Sequence, residues 1–246
     1  VLIQAGIRDI LIIVPPGEEE AFTSLLGDGG EIGLHIEYKV QEVPRGIADA
    51  FLVGKEFIGD DSVCLLLGDN IFYCPYFGEI LKSAWEQQEG ATVFGYWVQD
   101  TRPFGVVEFD KTGKAISIEE KPVQPKSNYI IPGLYFYDNR VVDIAENLEP
   151  SARGELEITD VNLEYLKQGQ LRVIPFEKGL TWMDAGTADS LLEAAEIIKA
   201  LQKSGQYIGC IEEVALKEGF ASLEQIRKRG EALSMTKYGQ YLLTLK

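Results

Sequence analysis

Two aspartates stand where a protein chain could bind a metal ion. Asp69 follows the apolar run Val63 to Leu67, which is too short for a helix and predicts a strand buried on both faces that opens into a loop. Asp184 stands just before a predicted helix. Because ligands bind where such strands end, two carboxylates that meet there would form a Mg²⁺ site completed by water and substrate phosphates. The residues Gly68-Asp69-Asn70 are also typical of a simple turn, and the segment alone favours that interpretation.

A second group of charges contains a candidate phosphate-binding side chain. The segment Glu119-Glu120-Lys121-Pro122 ends a predicted hairpin strand, and Pro122 predicts an extended backbone at Lys121. Lys121 could bind a phosphate there, although a solvated cluster of charges explains the segment as well. Arg153 and Glu155 precede a predicted helix, where capping and the helix dipole also account for acidic residues. Their roles stay open from the residues alone.

Histidine and cysteine chemistry has little support in this chain. His35 is the only histidine and lies on a predicted strand face, so we interpret it as structural and expect neither a His base nor a His-zinc site. The three cysteines, Cys64, Cys74 and Cys210, lack CxxC spacing and form an odd set. They predict buried free thiols in a reducing cytosol rather than a disulfide or a zinc site.

Composition narrows the class of protein. A chain of 246 residues with 46% hydrophobic content can bury a large core. The formal net charge of −16 argues against general binding to nucleic acid, whose phosphates require compensating Lys and Arg. An anionic substrate must therefore meet local positive groups. Because no apolar run approaches the roughly 18 residues of a membrane span, we expect a soluble, cytoplasmic protein without a membrane partner.

Hydrophobic patterns predict alternating strands and helices over most of the chain. Strands are predicted at 7–14, 34–40, 62–67, 91–98, 104–109, 115–120, 129–137 and 171–176. Helices are predicted at 18–26, 47–58, 76–89, 140–147, 158–168, 187–201 and, as short patterns, within 211–246. The alternation predicts an α/β fold with a Rossmann-like, mostly parallel central sheet flanked by helices, and the hairpin at 104–120 begins an antiparallel excursion. We predict an α/β domain at 1–205 and a C-terminal helical segment at 206–246.

Six short motifs are spread along the chain in a fixed order. They are Gln41-x-x-Pro44-x-Gly46, Leu67-Gly68-Asp69-Asn70, Phe104-Gly105-Val106-Val107-Glu108-Phe109, Glu119-Glu120-Lys121-Pro122, Gly154-Glu155-Leu156-Glu157-Ile158-Thr159-Asp160 and Trp182-x-Asp184-x-Gly186-Thr187. Each is weak alone, but the ordered set resembles the sugar-1-phosphate nucleotidylyltransferases over essentially the whole chain. The likeness is greatest to members that use dTTP and glucose 1-phosphate.

The resemblance implies a reaction and a role for each matching residue. Family members join a nucleoside triphosphate to a sugar 1-phosphate and release pyrophosphate by in-line displacement at the α-phosphorus. Asp69 and Asp184 would hold Mg²⁺ between the two substrates, and Lys121 would bind the sugar phosphate. The implied nucleotide-binding residues are Gln41, Pro44, Gly46, Leu67 and Asp69. The implied residues around the sugar phosphate are Gly105, Glu120, Lys121, Ile131, Tyr135, Arg153 and, more weakly, Glu155. Such chemistry depends on alignment and charge neutralisation more than on a general base.

The chain departs from the family pattern in two places. The family's Gly-rich loop, whose backbone N–H groups bind the triphosphate, would precede Val1. We therefore expect the natural chain to extend upstream and the domain at 1–205 to be N-terminally incomplete. The sequence Ile131-Pro132-Gly133 also places a proline, which lacks an N–H donor, beside the expected sugar contacts.

Two other functional classes stay open. A non-catalytic regulatory relative could keep the sugar pocket without the triphosphate loop, although the presence of Asp69, Lys121 and Asp184 argues against it. A nucleotide-sugar-dependent glycosyltransferase is less favoured, because its usual Asp-x-Asp pair does not follow the Asp69 strand. The resemblance also implies a homotetramer or a dimer, with a second nucleotide-sugar site near the C-terminal helices.

Overall fold

The computed structural model describes residues 1–86, 89–205 and 207–246. The chain forms two compact units, a terminal unit of Val1–Val40 with Ala195–Lys246 and a central unit of Gln41–Ala194. No helix in the described ranges is both long and apolar enough to cross a membrane. The domain boundary predicted between 205 and 206 touches Gln206, which lies outside the described residues, and it stays a prediction.

Both units are built from strands and helices. The described strands are β1 (Asp9–Val14), β2 (His35–Val40), β3 (Val63–Leu66), β4 (Asn70–Tyr73), β5 (Ala91–Trp97), β6 (Gly105–Phe109), β7 (Ala115–Glu120), β8 (Tyr129–Ile130), β9 (Leu134–Tyr137), β10 (Leu171–Pro175) and β11 (Thr181–Asp184). The described α-helices are α1 (Glu19–Leu26), α2 (Asp49–Val53), α3 (Lys55–Ile58), α4 (Phe77–Trp85), α5 (Val141–Glu146), α6 (Ile158–Lys167), α7 (Ala188–Lys203), α8 (Ile211–Lys217), α9 (Leu223–Ala232) and α10 (Lys237–Leu242). The α/β class is confirmed.

Most predicted elements are present, and the differences have local causes. The single strand predicted at 129–137 divides into β8 and β9, because Pro132 cannot donate to a sheet ladder. The helix predicted at 76–89 ends at Trp85, and its predicted residues Gln87 and Gln88 lie outside the described residues. The strands β4 and β11 were not predicted at all, although they carry the ends of the two acidic motifs.

The central unit is organised around β9. Its sheet has the order β3-β9-β5-β8-β6-β7, with β10 beside β5, and every residue of β9 is buried. The strand β3, which is predicted to be buried on both faces, is instead half-buried and stands at the end of this order. The parallel share of the sheet is also smaller than predicted. Among the described strands of this sheet only β5 and β10 pair in parallel, because β8 and β9 run antiparallel to β5 without a helical crossover.

The buried carboxylate of Asp138 joins three elements of the central unit. It accepts hydrogen bonds from the backbone N–H of Gly90 (2.7 Å), from Arg140 Nε (3.0 Å) and from the Tyr165 hydroxyl (2.7 Å). Burial raises the pKa of Asp138, but the hydrogen bonds from Arg140, Tyr165 and Gly90 outweigh it and leave this pKa below its ordinary value. The ionised form is therefore the one that the fold stabilises.

We expect Asp138→Asn to lower the free energy of unfolding at pH 7 by about 2 kcal/mol, because hydrogen bonds to a charged group are lost. A carboxylate with a lowered folded-state pKa stabilises the protein above its unfolded pKa of about 3.9, and this contribution is lost as the pH falls through the folded pKa. The difference between the variant and the natural protein should therefore shrink below about pH 4. Urea denaturation between pH 7 and pH 3 measures it, with the exposed Asp143→Asn as the control. A pH-independent difference would contradict this explanation.

In the terminal unit, the helices α8, α9 and α10 share an apolar cluster with residues of the parallel strand pair β1 and β2. The strands β1 and β2 align Asp9 with His35, and buried Ile32, Ile36, Ile226 and Leu242 share one apolar cluster. His35 is exposed, and its Nδ1 lies 3.2 Å from Asp9 Oδ1 on the paired strand.

Two further expectations about buried side chains need correction. The helical spacing of Leu191, Ala194, Ala195, Ile198 and Leu201 predicts that one face of α7 is buried, but only Ala194 is buried. All three cysteines are free, but only Cys210 is fully buried, and Cys64 and Cys74 are half-buried. An amphipathic pattern and a cysteine's apolar character indicate which residues can be buried, while packing decides which of them are.

A buried ion pair holds α8 and α9 together. Glu212 is 1% exposed, accepts a hydrogen bond from Arg229 Nε at 2.5 Å and also accepts one from the Tyr238 hydroxyl. Arg229 Nη1 reaches Glu31 at 2.7 Å. The charge of Glu212 is therefore compensated inside the unit.

We expect Glu212→Gln to destabilise the protein by roughly 3 kcal/mol, because it leaves the Arg229 guanidinium partly buried without its main counter-charge. The control is Glu224→Gln, a first-turn acidic residue of α9, which should change stability by less than about 0.5 kcal/mol. Chemical denaturation of both variants measures the difference. Equal stabilities for the two variants would show that the ion pair contributes little.

Candidate active site

Asp69 and Asp184 lie next to each other because β4 and β11 pair. Asn70 stands opposite Asp184 in this antiparallel ladder, and the Ala185 N–H donates to the Asp69 carbonyl oxygen at 2.8 Å. A Cβ atom at Gly186 would lie 3.0 Å from both Asp69 Oδ2 and Asp184 Oδ1, so these oxygens are within about 6 Å of each other. The structure thus brings together two carboxylates that are far apart in sequence.

Asn70 fixes the position of the Asp69 carboxylate. Its Nδ2 donates to Asp69 Oδ1 at 2.8 Å, while its Oδ1 accepts from the Gly133 N–H at 2.9 Å and from Trp182 Nε1 at 2.7 Å. Asp184 is held separately, since its Oδ1 accepts from the Gly186 N–H at 2.8 Å. One amide side chain therefore connects Asp69, the start of β9 and the indole of β11.

The two carboxylates are a chemically suitable but sparse set of metal ligands. Within the described residues no three His, Cys, Asp or Glu side chains form a group that could hold a metal ion by themselves. Carboxylate oxygens are the ligands that Mg²⁺ prefers, and Mg²⁺ usually retains several waters or takes substrate phosphates with only one or two carboxylates. Asp69 and Asp184 fit that pattern. They are too few to form a closed metal site from protein ligands alone.

Glu120 ends β7 beside the first residue of β6. It pairs with Gly105 in the hairpin, and its Oε2 accepts from the Thr159 hydroxyl at 2.5 Å. Tyr135 is buried, and burial together with the charges of Glu120 and Asp69 raises the pKa of its hydroxyl. Tyr135 therefore stays neutral and lies within electrostatic reach of both acidic groups.

The basic residues of the predicted sugar-phosphate site stand beside carboxylates. Lys121 Nζ lies 3.9 Å from Glu120 Oε1, and Arg153 Nη2 lies 3.7 Å from the same oxygen. Arg153 Nη2 also lies 3.3 Å from Glu155 Oε2 and 2.8 Å from Glu157 Oε2. Glu120, Lys121, Arg153 and Glu155 thus form one exposed to half-buried cluster.

The backbone at Lys121 differs from the expectation. Its φ is +43°, in the left-handed region, whereas the following proline predicts an extended residue. The Lys121 N–H donates to the Phe104 carbonyl oxygen at 3.1 Å, which turns the chain at the end of β7. A non-glycine residue in this region is strained, and Lys121 is the one such residue in the described part of the chain.

Leu67 and Ile131 are both fixed by the connection between β8 and β9. The Leu67 N–H donates to the Gly133 carbonyl at 2.9 Å, and a Cβ at Gly133 would lie only 2.6 Å from Leu67 Cγ. The Ile131 N–H donates to the Gly105 carbonyl at 2.9 Å. The N–H groups on both sides of Pro132 are therefore used inside the protein.

The predicted base-binding loop is anchored to the segment that follows Arg153. Leu156 donates its N–H to the Arg45 carbonyl at 2.7 Å and accepts from the Ala48 N–H at 3.1 Å. Gly46 has φ +102°, and a Cβ there would lie 2.5 Å from the Leu156 carbonyl oxygen. Only glycine allows this approach. Pro44 is exposed on the same loop, and Gln41 is half-buried.

Sequence reasoning missed the residues that support the predicted ones. These are Asn70, Thr159 and Trp182, together with Asp49, whose carboxylate accepts from Gln41 Nε2 at 2.8 Å. Asn70, Thr159 and Trp182 belong to the recognised motifs, but nothing in their local sequence names their partners. The β-favouring runs Ile71-Phe72-Tyr73 and Thr181-Trp182 were the available signals for β4 and β11.

The chain is similar to known nucleotidyl transferases. A family model described as nucleotidyl transferase matches residues 1–200. A glucose-1-phosphate thymidylyltransferase of Neisseria gonorrhoeae is 51% identical over 246 residues, which cover 100% of this chain and 85% of that protein. One from Mycolicibacterium smegmatis is 50% identical over 245 residues, covering 99% of this chain and 85% of that protein.

Solved structures agree with the fold. The chain superposes with a TM-score of 0.73 and 41% identity on a Bacillus anthracis protein described as a glucose-1-phosphate thymidylyltransferase in complex with sucrose, covering 80% of this chain and 78% of that one. A UDP-glucose pyrophosphorylase with UDP-glucose gives a TM-score of 0.69 at 20% identity, covering 82% and 83%, and this likeness shows the fold alone. With a family model matching residues 1–200 and half of the residues identical to those of full-length relatives, the chain belongs to the nucleotidyl transferase family.

Proposed function

We propose that this chain is a glucose-1-phosphate thymidylyltransferase, which joins dTTP to glucose 1-phosphate and releases pyrophosphate. The observation that carries the proposal is the placement of Asp69 and Asp184 on either side of Gly186. Relatives that bear this name and are about half identical over the whole chain support the choice of substrates. The product would be dTDP-glucose, which places the enzyme in dTDP-sugar and polysaccharide biosynthesis.

In this reaction a phosphate oxygen of glucose 1-phosphate attacks the α-phosphorus of dTTP while the bond to pyrophosphate breaks. The nucleophile is already an anion, so no general base is needed, and alignment with charge neutralisation supplies the rate. Asp69 and Asp184 would hold Mg²⁺, which when bound would neutralise phosphate charge on both substrates. Asn70 and the Gly186 N–H orient these two carboxylates before substrates arrive.

The sugar phosphate would be bound by the cluster at the end of β7. Lys121 would place its ammonium on the phosphate, and its strained backbone supports a positional role. Glu120, fixed by Thr159, would accept from sugar hydroxyls. The remaining groups that we propose around the hexose are Gly105, Ile131, Tyr135, Arg153 and, more weakly, Glu155.

The nucleotide would lie against the loop anchored to Leu156. Gln41 and Gly46 would read the pyrimidine edge, with Pro44 and Leu67 beside the base. A homotetramer or dimer, a second nucleotide-sugar site near α8 to α10 and a cytoplasmic location belong to the same proposal. Sedimentation equilibrium of the whole protein tests the assembly, and a monomer at micromolar concentration would contradict it.

The activity is tested by incubating the complete protein with dTTP, glucose 1-phosphate and Mg²⁺ and measuring pyrophosphate and dTDP-glucose. We expect turnover that stops on chelation of the metal and resumes on its return. Binding of dTDP-glucose without any turnover would contradict the proposed activity and point to a regulatory relative.

We expect Asp69→Asn and Asp184→Asn each to lower kcat/KM by about 100-fold or more, because each removes one negative ligand of the metal. The free energy of unfolding should change by less than about 1 kcal/mol, since neither side chain is buried in the core. Asp189→Asn, in the exposed first turn of α7, is the matched control. Steady-state kinetics over a Mg²⁺ titration should show a higher metal requirement for the two site variants only. Full activity of either variant would remove that residue from the metal site.

We expect Gly186→Ala to lower kcat/KM by about tenfold, because the added methyl group would lie 3.0 Å from an oxygen of each aspartate and displace both carboxylates slightly. The matched control is Gly68→Ala, since a Cβ at Gly68 meets no atom within 4 Å. Both variants are measured for turnover and for thermal unfolding. A Gly186→Ala protein with normal turnover would show that the space between the carboxylates is not used.

A further inference from the structure

The amide of Gln41 is held in one orientation by two groups that accept hydrogen bonds. Its Nε2 donates to Asp49 Oδ2 at 2.8 Å and lies 3.4 Å from the Gly46 carbonyl oxygen, to which it also donates. A carbonyl oxygen cannot donate, and neither can an ionised carboxylate. The NH₂ group of Gln41 must therefore face these two partners, whereas its carbonyl oxygen Oε1 faces the other way. No hydrogen bond within the described part of the chain uses Oε1.

Asp49 is an unusual residue to find at this position. It is 1% exposed, and Arg45 Nη2 lies 2.8 Å from its Oδ1, a contact between opposite charges that lacks hydrogen-bond alignment. Burying a carboxylate costs free energy, and an apolar residue would pack at the start of α2 without that cost. A carboxylate does have one property that an amide lacks. Both of its oxygens accept hydrogen bonds. Whichever way the carboxylate rotates, it therefore offers an acceptor, and never a donor, to Gln41.

The loop that carries these residues cannot easily adjust. Leu156 is hydrogen-bonded to Arg45 and to Ala48, and the backbone of Gly46 lies against the same residue. Ala48 is fully buried in the core cluster of the central unit. The distance between Gln41 and Asp49 is therefore set by the fold, and the amide is oriented before a nucleotide binds.

We propose that Asp49 is a positioning residue that makes Gln41 select a base with a hydrogen-bond donor at N3. This inference rests on the proposed function, in which Gln41 contacts the pyrimidine edge. Thymine and uracil carry an N–H at N3, which would donate to Oε1. Cytosine carries an unprotonated N3, so two acceptors would face each other, and a site built for a donor rejects such an analogue.

The test compares kcat/KM for dTTP and dCTP, each with glucose 1-phosphate and Mg²⁺, in the natural protein and in Asp49→Asn. An asparagine can present either its oxygen or its NH₂ group, which leaves only the longer hydrogen bond to the Gly46 carbonyl oxygen (3.4 Å) to orient the Gln41 amide. We expect the preference for dTTP to fall by about tenfold or more, through a lower value for dTTP and a higher one for dCTP. Partial unfolding would lower both values by the same factor and leave the ratio unchanged. Asp100→Asn, an exposed carboxylate paired with Arg102, is the control that should keep the natural ratio.

An Asp49→Asn ratio within twofold of the natural one would overturn the proposal while leaving the proposed activity intact. If neither nucleotide is turned over, the proposed function fails separately, and calorimetric binding of dTTP and dCTP decides the role of Asp49. If the natural protein binds dTTP more tightly than dCTP and Asp49→Asn loses this preference, the proposed role of Asp49 is supported. If both proteins have the same preference, that role is overturned.

If circular dichroism shows that Asp49→Asn does not fold, we compare the binding of dTTP and of its N3-methyl analogue to the natural protein. The methyl group removes the N3 donor. We expect binding at least about tenfold weaker than that of dTTP. Binding as tight as that of dTTP would show that Oε1 receives no base proton and would overturn the proposal.

Discussion

The antiparallel pairing of β4 with β11 is the interaction on which the candidate site depends. Two carboxylates within about 6 Å repel each other, so nothing in Asp69 or Asp184 themselves favours the arrangement. The backbone ladder from Asn70 to Tyr73 and the hydrogen bonds from Asn70 and Gly186 hold them there. A pair of like charges that is kept together by the fold attracts a divalent cation, because the cation removes the repulsion as it binds.

The site is also rigid where backbone segments meet. Gly133 against Leu67 and Gly46 against Leu156 are contacts that leave no room for a side chain. They connect the end of β3 to β9, and the loop after Gln41 to the segment before α6. Groups that are oriented before binding lose less conformational freedom when substrates bind, which favours in-line transfer that depends on alignment.

The charges of the candidate site show how an acidic chain could bind the anionic substrates that we propose for it. The net charge is −16, and the basic residues Lys121 and Arg153 stand beside Glu120, Glu155 and Glu157. The hydrogen bond with Glu157 raises the pKa of Arg153 above its ordinary value, because the fold favours its charged form. These cations are oriented by carboxylates, so a divalent ion at the aspartate pair would add the positive charge that two phosphate-bearing substrates require.

The sequence by itself determined the α/β class, most of the elements and the candidate side chains of the site. Apolar runs, glycine and proline positions and the ordered motifs act locally or through family resemblance, and they placed Asp69, Lys121 and Asp184 among the candidates. Only the tertiary structure decided that β9 rather than β3 is the buried centre, that Lys121 takes a left-handed backbone and that Asn70, Thr159 and Asp49 orient their neighbours. The physical reason is that strand pairing and side-chain hydrogen bonds join residues distant in sequence. Asn70 and Trp182 are 112 positions apart, and local sequence preferences cannot predict a contact over that distance.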